Sequence, residues 1–125
     1  MDILIDTSFI LTCIKSKIDF ISQANNFNLR INFVIPEEVL EEIKRISLRR
    51  KEKVEDKKAA RVALDLIRSY NFTMIKLNNK KVDKGIIYYL NQNKDCVLAS
   101  LDRGLRGDIK NRVLTIKGIK QLELI

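Results

Sequence analysis

The chain has 125 residues, 46% of them hydrophobic and 32% charged, with 24 basic against 16 acidic residues for a net charge of +8. That length suits one domain with a real core, and the composition excludes a disordered chain. There is no histidine, which removes Ser–His and Cys–His nucleophile pairs, imidazole-based RNA cleavage and ordinary zinc sites.

In chain order, residues 3–5 form a short apolar run that ends in Asp6, Thr7 and Ser8, all good helix-capping types. A helix is expected next, with Phe9, Ile10, Cys13 and Ile14 on one face. Residues 31–35 ("INFVI") read as a second strand, stopped by Pro36, which suits the first turn of a helix. In that helix Val39, Ile43 and Ile46 repeat at helical spacing. Residues 49–58 either loop or continue it, and a further helix carries Ala59, Ala60, Ala63, Leu64 and Ile67. "FTMIKL" (72–77) reads as a third strand and "NNKK" as a turn. A helix from Asp83, a strand over "CVLAS" and a last strand over "VLTI" complete the chain. No repeat or linker marks a boundary, so residues 1–125 are expected to form a single domain.

The longest uncharged stretch, residues 20–29, is ten residues with four Asn or Gln, short of the roughly 20 apolar residues a membrane helix needs. Asp2 and Asp6 near the start speak against a basic leader. A cytoplasmic protein without a membrane partner is expected. Cys13 and Cys96 have apolar neighbours and read as buried thiols. Between residues 44 and 61, nine basic residues face three acidic ones, a net +6 of the total +8. Such a run suggests a polyanionic partner, or else a lysine-rich solvated helix.

Strands alternating with helices imply a mostly parallel sheet covered on both faces, with ligands bound beyond the carboxyl ends of the strands. Asp6 and Asp102 end two different strands, so both are expected on the same rim. Asp83 opens a helix after Val82. Glu42, among Val39, Ile43 and Ile46, can reach inward while Glu37 and Glu38 face water. Taken singly, each Asp could be a helix cap worth about 1 kcal/mol, and Glu42 a solvated helix residue. Taken together they repel: at an effective dielectric near 20, two charges 4 Å apart cost about 4 kcal/mol. Gathering them calls for a cation, and oxygen ligands without His or Cys select Mg²⁺ or Mn²⁺. Such an ion promotes phosphodiester hydrolysis.

"ILIDTSFIL", "VIPEEVLEEI", "VDKGI" and "VLASLDRGLR", in that order and spacing, resemble the successive motifs of PIN domains over about residues 2–118. The resemblance implies a three-layer α/β/α sandwich on a mostly parallel five-stranded sheet and Mg²⁺- or Mn²⁺-dependent endonucleolytic cleavage of RNA. It places the acids of the family on Asp6, Glu42, Asp83 and Asp102, with Asp6, Asp83 and Asp102 as metal ligands. Glu41 replaces Glu42 if the helix register differs by one. Thr7 and Ser100 fall where supporting hydroxyls are usual, while Leu101 and Lys84 depart from the pattern. The reading assigns Arg49, Arg50, Lys51, Lys53, Arg103 and Arg106 to the RNA backbone. Partners implied by the family are RNA, a second copy of the chain, and an antitoxin or a ribosomal precursor. The competing reading is a PIN-like domain that binds RNA or protein without cutting.

Other acid-bearing folds fit less well. An aspartyl-phosphate phosphatase wants an Asp where Ser8 stands, a phospho-receiver wants an acceptor Asp where residues 77–78 read Leu-Asn, and no Gly-rich phosphate loop is present. Tyr88 and Tyr89, beside Ile87 and Leu90, read as packing residues rather than as platforms for bases.

Overall fold

Strands covered on both faces need unbroken apolar runs rather than alternation, and three such runs make the centre of the sheet. The computed structural model describes residues 1–27 and 30–125. Strands β1 (Asp2–Ile5), β2 (Asn32–Pro36) and β4 (Val97–Ala99) bury almost every apolar side chain they carry. They are joined by β3 (Thr73–Ile75), β5 (Val113–Lys117) and β6 (Gln121–Leu124) in the order β3-β2-β1-β4-β5-β6. The first five are parallel and β6 is antiparallel to β5. The sheet therefore has six strands, not the expected five. Gly118, at φ +67, makes the reversal that returns the chain as β6.

Among the described residues, six helices fill the connections: α1 (Thr7–Lys15), α2 (Phe20–Asn25), α3 (Glu37–Leu48), α4 (Val54–Ser69), α5 (Val82–Gln92) and α6 (Arg103–Gly107). The steps β1→β2→β3 run toward one edge, and β4→β5 toward the other. Right-handed crossovers then place α1 to α4 on one face and α5 and α6 on the opposite face. The mutual packing of α1, α3 and α4 agrees. The result is a three-layer sandwich whose connections reverse direction between β1 and β4, the place where such sheets open a crevice at their carboxyl ends.

Of the two alternatives left open for residues 49–58 the chain takes each in part, and three other local details differ from the sequence reading. Residues 49–53 loop, and a new helix starts at Val54. Pro36 is the N-cap of α3 rather than a first-turn residue. Helix α5 begins at Val82, with Lys81 as its N-cap, so Asp83 lies inside the first turn and caps nothing. Helix α2 was not anticipated. It is started by Asp19, whose Oδ1 accepts from the Ser22 N–H at 3.1 Å and whose Oδ2 accepts from the Ser22 hydroxyl at 2.8 Å.

Under the helical face, Phe9, Phe20, Phe33 and Phe72 form a chain of rings with centroids 5.3–5.8 Å apart. Cys13 and Cys96 are both buried and free. Burial pushes their thiols up to about 12 and about 11, so they stay protonated and unreactive. No helix among the described residues is long and apolar enough to cross a membrane.

Candidate active site

At the reversal between β1 and β4 lies an open cleft of about 290 Å³, lined by Asp6, Thr7, Ser8, Glu42, Asp83, Leu101 and Asp102. All four acids singled out in the sequence face this one space, and they come from every layer. Asp6 and Asp102 follow two adjacent strands, Glu42 comes from α3 on one face, and Asp83 from α5 on the other.

Asp6 is the anchor. The register pairs Ile5 with Ala99, and the Asp6 N–H continues the ladder by donating to the Ala99 carbonyl at 3.1 Å. This sets Asp6 beside Ser100, whose hydroxyl donates to Asp6 Oδ2 at 2.9 Å. The Ser8 hydroxyl donates to the same oxygen at 3.2 Å, and the Thr7 N–H to Oδ1 at 2.8 Å. Only 9% of Asp6 is exposed. Burial pushes its carboxyl above the ordinary 3.8; bonds from Ser100, Thr7 and Ser8 oppose the shift, and the nearby Asp83 charge adds to it.

The other three acids are held more loosely. Asp102 is exposed and caps α6, its Oδ1 accepting from the Leu105 N–H at 3.2 Å. Its own N–H donates to Ser100 Oγ at 3.1 Å, so Ser100 bridges Asp6 and Asp102. Asp83 is exposed in the first turn of α5, where the helix dipole favours a negative charge. Glu42 is half-buried. The side chains of Asp83 and Glu42 have no hydrogen bond or ion pair among the described residues. Glu41 faces away and pairs with Lys44 at 3.7 Å, so Glu42 is the member of α3 that reaches the cleft.

Among the described residues, no three His, Cys, Asp or Glu side chains stand close enough to hold one metal ion. The four carboxylates share a cleft without converging on a point. In kind, the donors do suit a hard divalent cation. They are oxygens only, the buried Asp6 carries a charge its surroundings disfavour, and the buried Thr7 Oγ1 has no hydrogen-bond partner. Thr7 thus supports Asp6 through its backbone and not, as expected, through its hydroxyl.

The basic residues lie outside the cleft. Arg49, Arg50, Lys51 and Lys53 occupy the α3–α4 loop, which begins about 10 Å along the helix axis from Glu42 at 1.5 Å per residue. Arg49 pairs with Glu52 at 3.6 Å, whereas Arg50, Lys51 and Lys53 form no ion pair among the described residues. Arg103 and Arg106 sit on α6 directly after Asp102.

Two residues had gone unassigned. Ser8, read as a helix-capping type and as unsuitable for a phosphatase, is a donor to Asp6; a hydroxyl two positions after a helix-capping acid was the available signal. Glu38, expected to face water, accepts from the Leu77 N–H at 3.0 and 3.1 Å and from the Asn78 N–H at 3.0 Å. Burial pushes its carboxyl up, but these backbone donors and the Lys76 charge outweigh burial and bring it below the ordinary 4.5.

Residues 3–121 match the PIN-like domain family. Ribonuclease VapC4 of Methanocaldococcus jannaschii is 25% identical over 117 residues, covering 93% of this chain and 88% of that protein. The solved structure of the PIN domain endonuclease Utp24 superposes with a TM-score of 0.80 over 98% of this chain and 90% of that one. Its 21% identity makes this a likeness of fold.

Proposed function

The chain belongs to the PIN-like domain family, and from that premise we propose that it is an endoribonuclease that hydrolyses RNA phosphodiester bonds with Mg²⁺ or Mn²⁺. The observation that carries the reading is the cleft itself. Four carboxylates from three layers line one opening, and one of them is buried with only hydroxyl and N–H donors around it. Like charges are not placed so without a positive group to receive.

Asp6, Asp83 and Asp102 would hold the ion, with Glu42 completing the site. When bound, such an ion polarises a phosphoryl oxygen and lowers the pKa of water. The chain's own part is to position and to bind. Ser100 fixes the Asp6 and Asp102 segments relative to each other, and Ser8 and the Thr7 N–H set the Asp6 rotamer. Glu42 and Asp83 are free to turn toward a bound cation. Lys51, Lys53, Arg50 and Arg49 on one side, with Arg103 and Arg106 on the other, supply the charge that draws and holds the RNA backbone. The free buried thiols suit a reducing cytoplasm.

The test is Asp6→Asn. Cleavage of a single-stranded RNA in Mn²⁺ should vanish while the far-ultraviolet dichroism is unchanged; an Asp6→Asn protein that still cuts overturns the assignment. A second reading, a domain that binds RNA or a protein partner without cutting, draws on the lack of a preformed ligand trio among the described residues. Titration with Mn²⁺ separates the two: a binding-only domain gains no melting temperature, whereas ion binding to the folded state raises it.

A further inference from the structure

The four acids of the cleft are held in two different ways. Asp6 and Asp102 are tied together through Ser100, whose Oγ donates to Asp6 Oδ2 at 2.9 Å and accepts from the Asp102 N–H at 3.1 Å. Glu42 and Asp83 form no side-chain bond among the described residues. They stand on α3 and α5, helices that cover opposite faces of the sheet. Their separation across the cleft is therefore set by whatever fixes one helix relative to the other.

Glu38 supplies such a link. It stands one turn before Glu42 on the same side of α3. Its carboxylate accepts from the Leu77 N–H at 3.0 and 3.1 Å and from the Asn78 N–H at 3.0 Å. Two successive N–H groups closing on one anion make a nest, and Asn78, at φ +54, takes the left-handed conformation that suits one. Both residues belong to segment 76–81, which leaves the three-residue edge strand β3 and rounds the sheet to start α5. The same segment is seated on the first turns of α5. A Cβ on Gly85 would stand 2.9 Å from Leu77 Cβ and 3.1 Å from Asn79 Cβ, so only a hydrogen fits between loop and helix there. Asn79 Oδ1 accepts from the N–H of Lys81, the N-cap, at 2.9 Å. Asp83 lies between these two points. Leu77 is thus bonded through its backbone to α3 and packed through its side chain on α5.

We propose that Glu38 is a positioning residue of the cleft: by clamping the loop that seats α5, it fixes where Asp83 stands relative to Glu42, a role that rests on the metal-site reading of the cleft. A carboxylate on α3, unlike a group on the loop itself, gives a set distance between two helices that the sheet keeps apart. That distance matters because, among the described residues, no three acids stand close enough to hold an ion unaided. A cation has to draw them in, and an Asp83 without a fixed starting point adds its ordering to the cost of binding. The cleft then has two braces, Ser100 for the acids that follow strands and Glu38 for the acids carried on helices.

The experiment measures Mn²⁺ binding to the full chain from the electron paramagnetic resonance of free Mn²⁺, at a temperature where every variant compared is folded. Glu38→Ala should weaken binding at least about tenfold, in the range for groups that orient metal ligands. In an Asp83→Asn background the same change should cost less than about twofold, because Asp83 is what Glu38 places. Gly85→Ala, which forces Leu77 off α5 while leaving Glu38 in place, should act in the same direction and also lose its effect beside Asp83→Asn. Asn111→Ala is the control for stability. The Asn111 amide donates to the Cys96 carbonyl at 2.8 Å and the Asn93 carbonyl at 3.0 Å, at the far end of α5. Its loss should lower the melting temperature and leave Mn²⁺ affinity unchanged. Without metal, Glu38→Ala should shift the amide NMR signals of residues 82–85 and not those of residues 103–106. Wild-type affinity in Glu38→Ala, or in Gly85→Ala should Glu38→Ala not fold, overturns the proposal. So does a loss undiminished beside Asp83→Asn, or an equal loss in Asn111→Ala. If the expected pattern of binding holds and the wild type cuts no RNA, the nuclease reading falls and the positioning role stands. If the wild type binds no Mn²⁺, the metal reading falls; the placement of Asp83 by Glu38 then stands on shifted signals at 82–85 and falls without them.

Discussion

Asp6 and Glu38 are both carboxylates clamped by hydrogen-bond donors near the carboxyl ends of adjacent strands, yet their surroundings push them in opposite directions. Glu38 takes backbone N–H groups from a loop that has no other partner for them, and its charge is favoured. Asp6 is buried beside a second acid, and burial outweighs its three donors. One carboxylate holds the fold together. The other weakens the fold at neutral pH in return for a charge placed in the cleft. A buried acid whose ionised form is disfavoured by its own protein is the mark of a site shaped for something besides stability.

The largest effect that sharpens this contrast comes from removing each charge in turn. Asp6→Asn should raise the melting temperature by about 4 °C for each kcal/mol of relieved charge burial, besides ending cleavage. Glu38→Ala should lower stability by about 1–3 kcal/mol by orphaning the Leu77 and Asn78 N–H groups. If both variants shift in the same direction in a thermal melt, the contrast is broken. Ser100→Ala should come next. Loss of the bridge between Asp6 and Asp102 should reduce cleavage about 10- to 100-fold, in the range for groups that orient metal ligands, read from initial rates at saturating Mn²⁺.

Acid unfolding distinguishes the pair by sign. The folded-state pKa of Glu38 is lowered, so its contribution is present above the ordinary 4.5 and fades as pH falls through the folded value. That of Asp6 is raised, so its contribution is present below the ordinary 3.8 and fades as pH rises through the folded value. Glu38→Gln should therefore flatten the loss of stability below about pH 4.5, measured as urea midpoints across pH. An unchanged slope would mean that the clamp does not depend on charge. The smallest effect belongs to the basic loop: Lys51→Ala should reduce the slope of log affinity against log salt by about one for RNA.

Much of this was legible in the sequence because apolar runs and chain order fix which residues reach the rim. Residues 3–5 and 97–99 announce central strands, and parallel pairing then obliges Asp6 and Asp102 to share an edge. What escaped depends on side chains meeting across space. Glu37, Glu38 and Glu41 look alike in "PEEVLEEI", and only the position of the 77–78 loop selects Glu38. The sixth strand escaped because "QLEL" is short and follows a turn whose glycine gives no clue to strand direction. Whether four acids on a rim converge to ligand distance is likewise a matter of rotamers, to which spacing is blind. Tyr88 and Tyr89 share a helix and a chemistry, yet a rotation of about 100° sends one to the core and one to water.

The bond from Ser100 to Asp6 joins positions 94 residues apart. A growing polypeptide therefore cannot form this bond, or assemble the cleft around it, until its fourth strand has docked beside its first, which comes late in synthesis. On the nuclease reading proposed above, that long sequence separation acts as a safety catch released only by completed folding.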